Sequence, residues 1–225
     1  MTEISVANLD FTEFSHSAEG MLSSSDKKIF FEGKINKKYY QQITLFRKYT
    51  LENGGSCSDI KNKVSKNNSF YGVIDGDFVR EDLDRIYQID FYSIENIVLI
   101  YHDTLDSHLE NLRRDLKNHY KKEKLIRHRL IQNINCSKSF AFEKGSEINL
   151  QFYDYIDNKI NNEKTFLKYM DLKKIVCSYM IFLKQDPTIS KECKKAAKDY
   201  ITTCKVITID ELFSKSESKR VQLEL

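Results

Sequence analysis

The sequence predicts an α/β fold: a small parallel sheet followed by a mostly helical C-terminal extension. Three observations carry that reading. Short apolar runs alternate with helical patterns over the first hundred residues, which is how a parallel sheet with covering helices is written in sequence. Six of the seven glycines lie at or before Gly76, and the only proline is Pro187, so the second half has few breakers. Long amphipathic patterns fill that second half. The division falls near residue 103, with a catalytic-type region over 1–103 and a helical extension over 104–225 packed on it.

"KKIFFEG" (27–33) is a short apolar run closed by a glycine and reads as a buried strand. Asn36 is placed to cap a helix over "KKYYQQITLFRKYTL", where Tyr39, Ile43 and Phe46 share a stripe. "NGG" at 53–55 signals a turn, and "SCSDIKNKVSK" a short helix opened by Ser56 or Ser58. "FYGVID" (70–75) and "IYQIDFY" (86–92) are further buried strands. Ser93 and Asn96 open a helix over "SIENIVLIY". Beyond this, Leu105, Leu109, Leu112 and Leu116 keep the helical period in a long helix from about Thr104 to Ile134. "SFAFEKG" is equally a strand or a loop. Helices follow at 163–185 and 189–204, Thr208 with Glu211 makes a capping box, and the tail "SKSESKRVQLEL" reads as frayed.

Composition narrows the function classes. With 40% hydrophobic and 31% charged residues the chain reads as a soluble globular protein. A formal charge of +3 does not by itself imply a polyanion partner. Five scattered cysteines lack zinc-ligand spacing and suit a reducing cytoplasm. The first twenty residues do not read as a signal peptide, and "IVCSYMIFL" (175–183) is too short to span a bilayer. The expectation is a cytoplasmic protein without a membrane partner. No G-x-x-x-x-G-K-[ST] loop is present, so nucleotide hydrolysis would need another protein.

Chemistry concentrates in the carboxylates at strand ends. Glu32 closes the first strand, Asp75 and Asp77 the next clear one, and Glu95 falls in the first turn of the helix after "IYQIDFY". Ligands of open α/β sheets bind outside the carboxyl ends of the strands. Four carboxylates at one edge repel one another unless a cation sits among them, and a hard divalent ion such as Mg²⁺ or Mn²⁺ prefers oxygen ligands. On an extended strand, Asp75 and Asp77 project to the same side. The competing reading is a polar turn that closes a strand. A second charged feature is basic: Arg113, Arg114, Lys117, Lys121, Lys122, Lys124, Arg127 and Arg129 form a track for a phosphate backbone or a docking face, and Lys34, Lys37 and Lys38 lie nearer the acidic edge. Tyr39 and Tyr40 read as packing residues, Cys57 as a small buried thiol, and the histidines lack metal-ligand spacing.

"IFFEGKINKKYY", "GVIDGDF" and "FYSIENIVL", in this order, resemble the Toprim fold in its small stand-alone form. This is the family that includes the nuclease subunit of the PARIS phage-defence system, with distant relatives among overcoming-lysogenization-defect nucleases. The resemblance covers residues 27–100; Asn36 departs from it, standing where an "EGxxD" pattern has Asp. It implies Mg²⁺- or Mn²⁺-dependent phosphodiester hydrolysis of DNA or RNA. Glu32 would be a metal ligand or general acid/base, Asp75 and Asp77 metal ligands, and Glu95 a further acidic catalytic residue. It also implies an anti-phage effector controlled by an ABC-type ATPase partner, with a homo-oligomer among the open assembly states. The alternative is a non-catalytic module that docks on such an ATPase through the same acidic edge.

Overall fold

The computed structural model describes residues 27–77, 81–123, 129–132, 140–143 and 158–225. Four strands, β1 (Lys28–Glu32), β2 (Thr50–Gly55), β3 (Phe70–Ile74) and β4 (Ile86–Gln88), form an all-parallel sheet in the order β2-β1-β3-β4. Helix α1 (Asn36–Tyr40) and a 3₁₀ turn (Thr44–Lys48) connect β1 to β2, and α2 (Cys57–Val64) connects β2 to β3. After β4 come α3 (Ile94–Tyr101) and α4 (Asp106–Glu123), then an antiparallel strand pair, β5 (Arg129–Gln132) and β6 (Phe140–Glu143). The extension continues with α5 (Glu163–Tyr169), α6 (Lys173–Gln185), α7 (Lys191–Lys198), α8 (Tyr200–Thr203), α9 (Ile209–Leu212) and α10 (Lys215–Glu224). The α/β class expected from alternation is therefore the class observed.

Strand alternation divides the core. Ile29, Phe31, Tyr71, Val73 and Tyr87 face a large core shared with α3 and the C-terminal helices. Phe30, Ile74 and Ile86 face the other way, against Ile60 and Val64 of α2. Ile60 sits so close to the sheet that a Cβ on Gly72 would lie 2.5 Å from its Cγ2. The sequence pattern thus serves both faces of one sheet, as parallel strands require.

Several elements depart from the local reading. The expected helix after Asn36 is a single turn: Ile35 takes the N-cap position, and Asn36 is the helix's first residue, buried beneath Gly33. β2 is an edge strand of low β propensity, "TLENGG", held by its parallel ladder to β1, with Lys28 within ion-pair distance of Glu52. The long helix is described as far as Glu123, and residues 129–132, expected within it, instead form β5, paired antiparallel with β6. "SFAFEKG" supplies β6. The 163–185 helix is broken at Asp171, whose Oδ1 accepts from the Lys173 backbone N–H at 3.3 Å and starts α6 afresh.

The tail is ordered as α10, not frayed. Arg220 lies over the Tyr87 ring at 4.8 Å and donates to the Leu83 and Ile86 carbonyls at 3.0 and 2.6 Å. The Gln88 N–H donates to Glu217 and the Tyr87 hydroxyl to Glu224. β4 is the other edge of the sheet, and α10 covers it, satisfying groups that an open edge would leave unpaired. Among the described residues no helix is long and apolar enough to cross a membrane.

Candidate functional site

β1 and β3 are neighbours, so Glu32 and Asp75 leave the sheet side by side. The Asp75 N–H donates to Glu32 Oε2 at 3.0 Å, which fixes one carboxylate against the backbone of the other. β3 itself ends at Ile74, and the following Asp75-Gly76-Asp77 is irregular. Asp77 has φ +32°, a conformation rare outside glycine, and its N–H donates to the Tyr92 carbonyl at 3.1 Å. The extended-strand argument for the two aspartates therefore gives way. They are placed by an irregular segment stitched to the chain after β4. Gly76 lies against that segment, where a Cβ would fall 2.0 Å from the Phe91 carbonyl oxygen.

α3 brings the fourth carboxylate. Ser93 is the extended N-cap, and Glu95 in the first turn is buried. A helix N-terminus favours negative charge there. The Cys177 thiol, on α6, lies 3.9 Å from Glu95 Oε1, and the Tyr200 hydroxyl lies 3.7 Å from the same sulfur. Asn96, fully buried, does two jobs. Its Oδ1 accepts from the Ser93 N–H and hydroxyl at 3.2 and 3.0 Å, and its Nδ2 donates to the Leu167 and Met170 carbonyls at 2.8 and 2.9 Å. The residue that caps α3 thereby anchors the α5–α6 junction. Asn96→Ala leaves two carbonyls and the cap without this partner, and is expected to cost about 2–4 kcal/mol, read as a lower urea midpoint at unchanged slope.

That junction delivers a lysine to the acidic edge. Lys173, the first residue of α6, places Nζ 3.5 Å from Asp75 Oδ2; its side chain is 52% exposed and that of Asp75 4%. Burial raises the Asp75 carboxyl well above its ordinary range; Lys173 counters this, while Glu32, Glu95 and Asp77 add to it. Burial also opposes the charge on Lys173, but the four carboxylates, Glu95 and Asp75 first, outweigh it and hold the ammonium's pKa above its usual value. The cation that the clustered acids call for is, in this structure, an amino group from the helical extension.

Among the described residues, three polar atoms at this edge are buried with no hydrogen-bond partner: Asp75 Oδ1, Glu95 Oε2 and the Tyr40 hydroxyl. The Tyr40 ring packs as expected, stacked on Phe31 at 4.7 Å. Burial, then Asp75, Tyr39, Glu32 and Glu95, keep its phenol neutral by raising its pKa well above the ordinary value. Tyr39 is structural; its hydroxyl accepts from the Ile207 N–H and donates to the Lys205 carbonyl, both at 3.1 Å. Among the described residues no three His, Cys, Asp or Glu side chains stand together as a ready metal-holding set. Buried acceptor oxygens without partners are nevertheless the donors a hard cation takes, so the residue types fit Mg²⁺ or Mn²⁺ once a side chain shifts. Lys173 and Cys177 escape a sequence reading: each is brought in by packing, and neither sits in a local motif.

The basic residues are scattered in role. Lys34 and Lys38 are exposed and Lys37 half-buried on α1 and the turn before it. On α4, Arg114 and Lys117 are exposed, and Lys121 pairs with Glu163 at 3.2 Å. Arg113 is committed internally: it bonds the Leu99 and His102 carbonyls and Asp106. Its guanidinium holds α4 to the end of α3. The side chains of Lys122 and Arg129, and all of Lys124 and Arg127, lie outside the described part of the structure. No family model, curated protein or solved structure matches this chain.

Proposed function

We propose that the chain is a Mg²⁺- or Mn²⁺-dependent Toprim-like nuclease that hydrolyses phosphodiester bonds of DNA or RNA at the edge formed by Glu32, Asp75, Asp77 and Glu95. The observation that supports this most is that Glu32 and Asp75 leave neighbouring parallel strands side by side, with Asp75 Oδ1 and Glu95 Oε2 buried and unpartnered. Glu32, Asp75 and Asp77 would hold the ion. Once bound, it would polarise the phosphate and lower the pKa of a coordinated water. Glu32 is half-buried and is the residue placed to take a proton, because Asp75 and Glu95 lie deeper. Tyr40 keeps a neutral hydroxyl beside the acids, a donor for an oxygen bound there.

Lys34, Lys38, Arg114, Lys117 and Lys121 are the cations available to a nucleic-acid backbone. The cellular role that follows from the resemblance is a cytoplasmic anti-phage effector restrained by an ABC-type ATPase. A second reading has its own support. A lysine already facing Asp75 is what a non-catalytic module, docking on that ATPase, would use to keep its acidic edge neutral.

Cleavage decides between them. The purified chain should cut labelled DNA or RNA in Mg²⁺ or Mn²⁺, and induced expression should break cellular nucleic acid. EDTA should stop the reaction in vitro. Intact nucleic acid in both settings, or cutting that persists in EDTA, would reject the metal-dependent nuclease.

A further inference from the structure

Resting on the metal-site reading above, we infer that Lys173 is a resident counter-cation and that a divalent ion enters the acidic edge by exchange with it. Three observations lead there. The ammonium faces the most buried carboxylate, Asp75, at 3.5 Å, a distance of charge pairing without a tight hydrogen bond. Its side chain is 52% exposed, so an outward swing returns the ammonium to water and breaks little packing. The atoms it leaves unpaired, Asp75 Oδ1 and Glu95 Oε2, are buried acceptors that a lysine with one ammonium does not satisfy.

The geometry of the extension makes the exchange a linkage between two parts of the fold. Lys173 stands at the start of α6, where Asp171 opens the helix and Asn96 ties the preceding turn to α3. Glu95, the neighbour of Asn96, is the carboxylate whose charge favours the same ammonium most. A divalent ion among Glu32, Asp75 and Asp77 would lie beside a like charge if Lys173 stayed, and like charges at this range in a partly buried site repel strongly. Metal affinity is then the intrinsic affinity of the carboxylates reduced by the cost of moving Lys173 outward. A partner that draws α6 or its lysine away would raise metal affinity without touching a ligand.

The test is Mn²⁺ binding by the full chain, followed by the paramagnetic resonance of free Mn²⁺, together with thermal unfolding in EDTA and in Mn²⁺. Lys173→Met keeps the aliphatic stem and removes the charge. It should bind Mn²⁺ at least tenfold tighter than wild type, melt lower in EDTA, and gain more melting temperature from Mn²⁺. Lys173→Arg keeps a cation and should stay within a few-fold of wild type, which separates loss of charge from general damage. Equal Mn²⁺ affinity in wild type and Lys173→Met, or weaker binding in a folded Lys173→Met, overturns the exchange while leaving the metal site standing. If neither wild type nor Lys173→Met binds Mn²⁺ at millimolar concentration, the metal-site reading falls and the exchange falls with it.

Discussion

Asp75→Asn and Glu32→Gln are expected to reduce nucleic-acid cleavage by about 10²–10⁴-fold while leaving the chain folded. Asn at 75 keeps the backbone N–H that donates to Glu32, so the local turn has no reason to open. What it removes is a negative charge that burial and three neighbouring carboxylates disfavour. Lys173 is half-exposed and finds water when its partner is gone. In EDTA, therefore, Asp75→Asn should melt higher than wild type, by roughly 2–4 °C for each 1 kcal/mol relieved in a chain of this size. The pH dependence has a definite sign. A carboxyl raised in the folded state binds its proton more tightly there than in the unfolded chain, so its penalty is absent at low pH and grows as pH rises from the unfolded pKa, about 3.9, to the folded one. The advantage of Asp75→Asn over wild type should grow with pH up to the raised folded pKa and vanish towards pH 4. Wild-type cutting rates in both variants would remove these carboxylates from the active site, and a lower melting point of Asp75→Asn in EDTA would show that the Lys173 pair outweighs burial.

How much of this was legible in the sequence depends on how locally each part is determined. Glu32, Asp75 and Glu95 stand at the ends of apolar runs, and a polar residue there is visible because strand and helix patterns are short-range. Their convergence follows from strand order, which alternation suggests for a parallel sheet. Asp77 was found by its spacing, but the reason for that spacing was not: its positive φ depends on the Tyr92 carbonyl, which no local rule reveals. Lys173 was illegible for a stronger reason. It reaches the site through Asn96, a residue whose local role as a helix cap masks its bonds to Leu167 and Met170, more than seventy residues away. The edge strand β2 and the tail helix α10 share this character. "TLENGG" and "KSESKRVQLE" are polar segments whose structure comes from what they cover or pair with, not from their own propensity.

Gly76 is where fold and site meet most tightly, and Gly76→Ala carries the largest stability loss expected from a single methyl group among the described glycines. An added Cβ would lie 2.0 Å from the Phe91 carbonyl oxygen and 2.6 Å from that of Ile89. Both are backbone atoms, so no side-chain rotation relieves the clash. The two segments can separate only by breaking what joins them: the Ile89 N–H to the Ile74 carbonyl and the Asp77 N–H to the Tyr92 carbonyl, both at 3.1 Å. The segment that must retreat leads directly into Ser93 and Glu95, so the carboxylates of β3 and α3 would move apart as well. A cost above about 4 kcal/mol is expected, a fall in melting temperature on the order of 10 °C, with Mn²⁺ binding lost in whatever fraction stays folded. Gly72→Ala is the control. Its Cβ would meet Ile60 Cγ2 at 2.5 Å, a side-chain atom of α2 and not a carbonyl of the segment that leads to Glu95. That variant should lose about 1–3 kcal/mol and keep its Mn²⁺ affinity, because the strain is taken up on the face of the sheet away from the large core. Gly76→Ala melting within 2 °C of wild type, or no lower than Gly72→Ala, would show that the turn carrying Asp75 and Asp77 is free to move independently of β4 and α3.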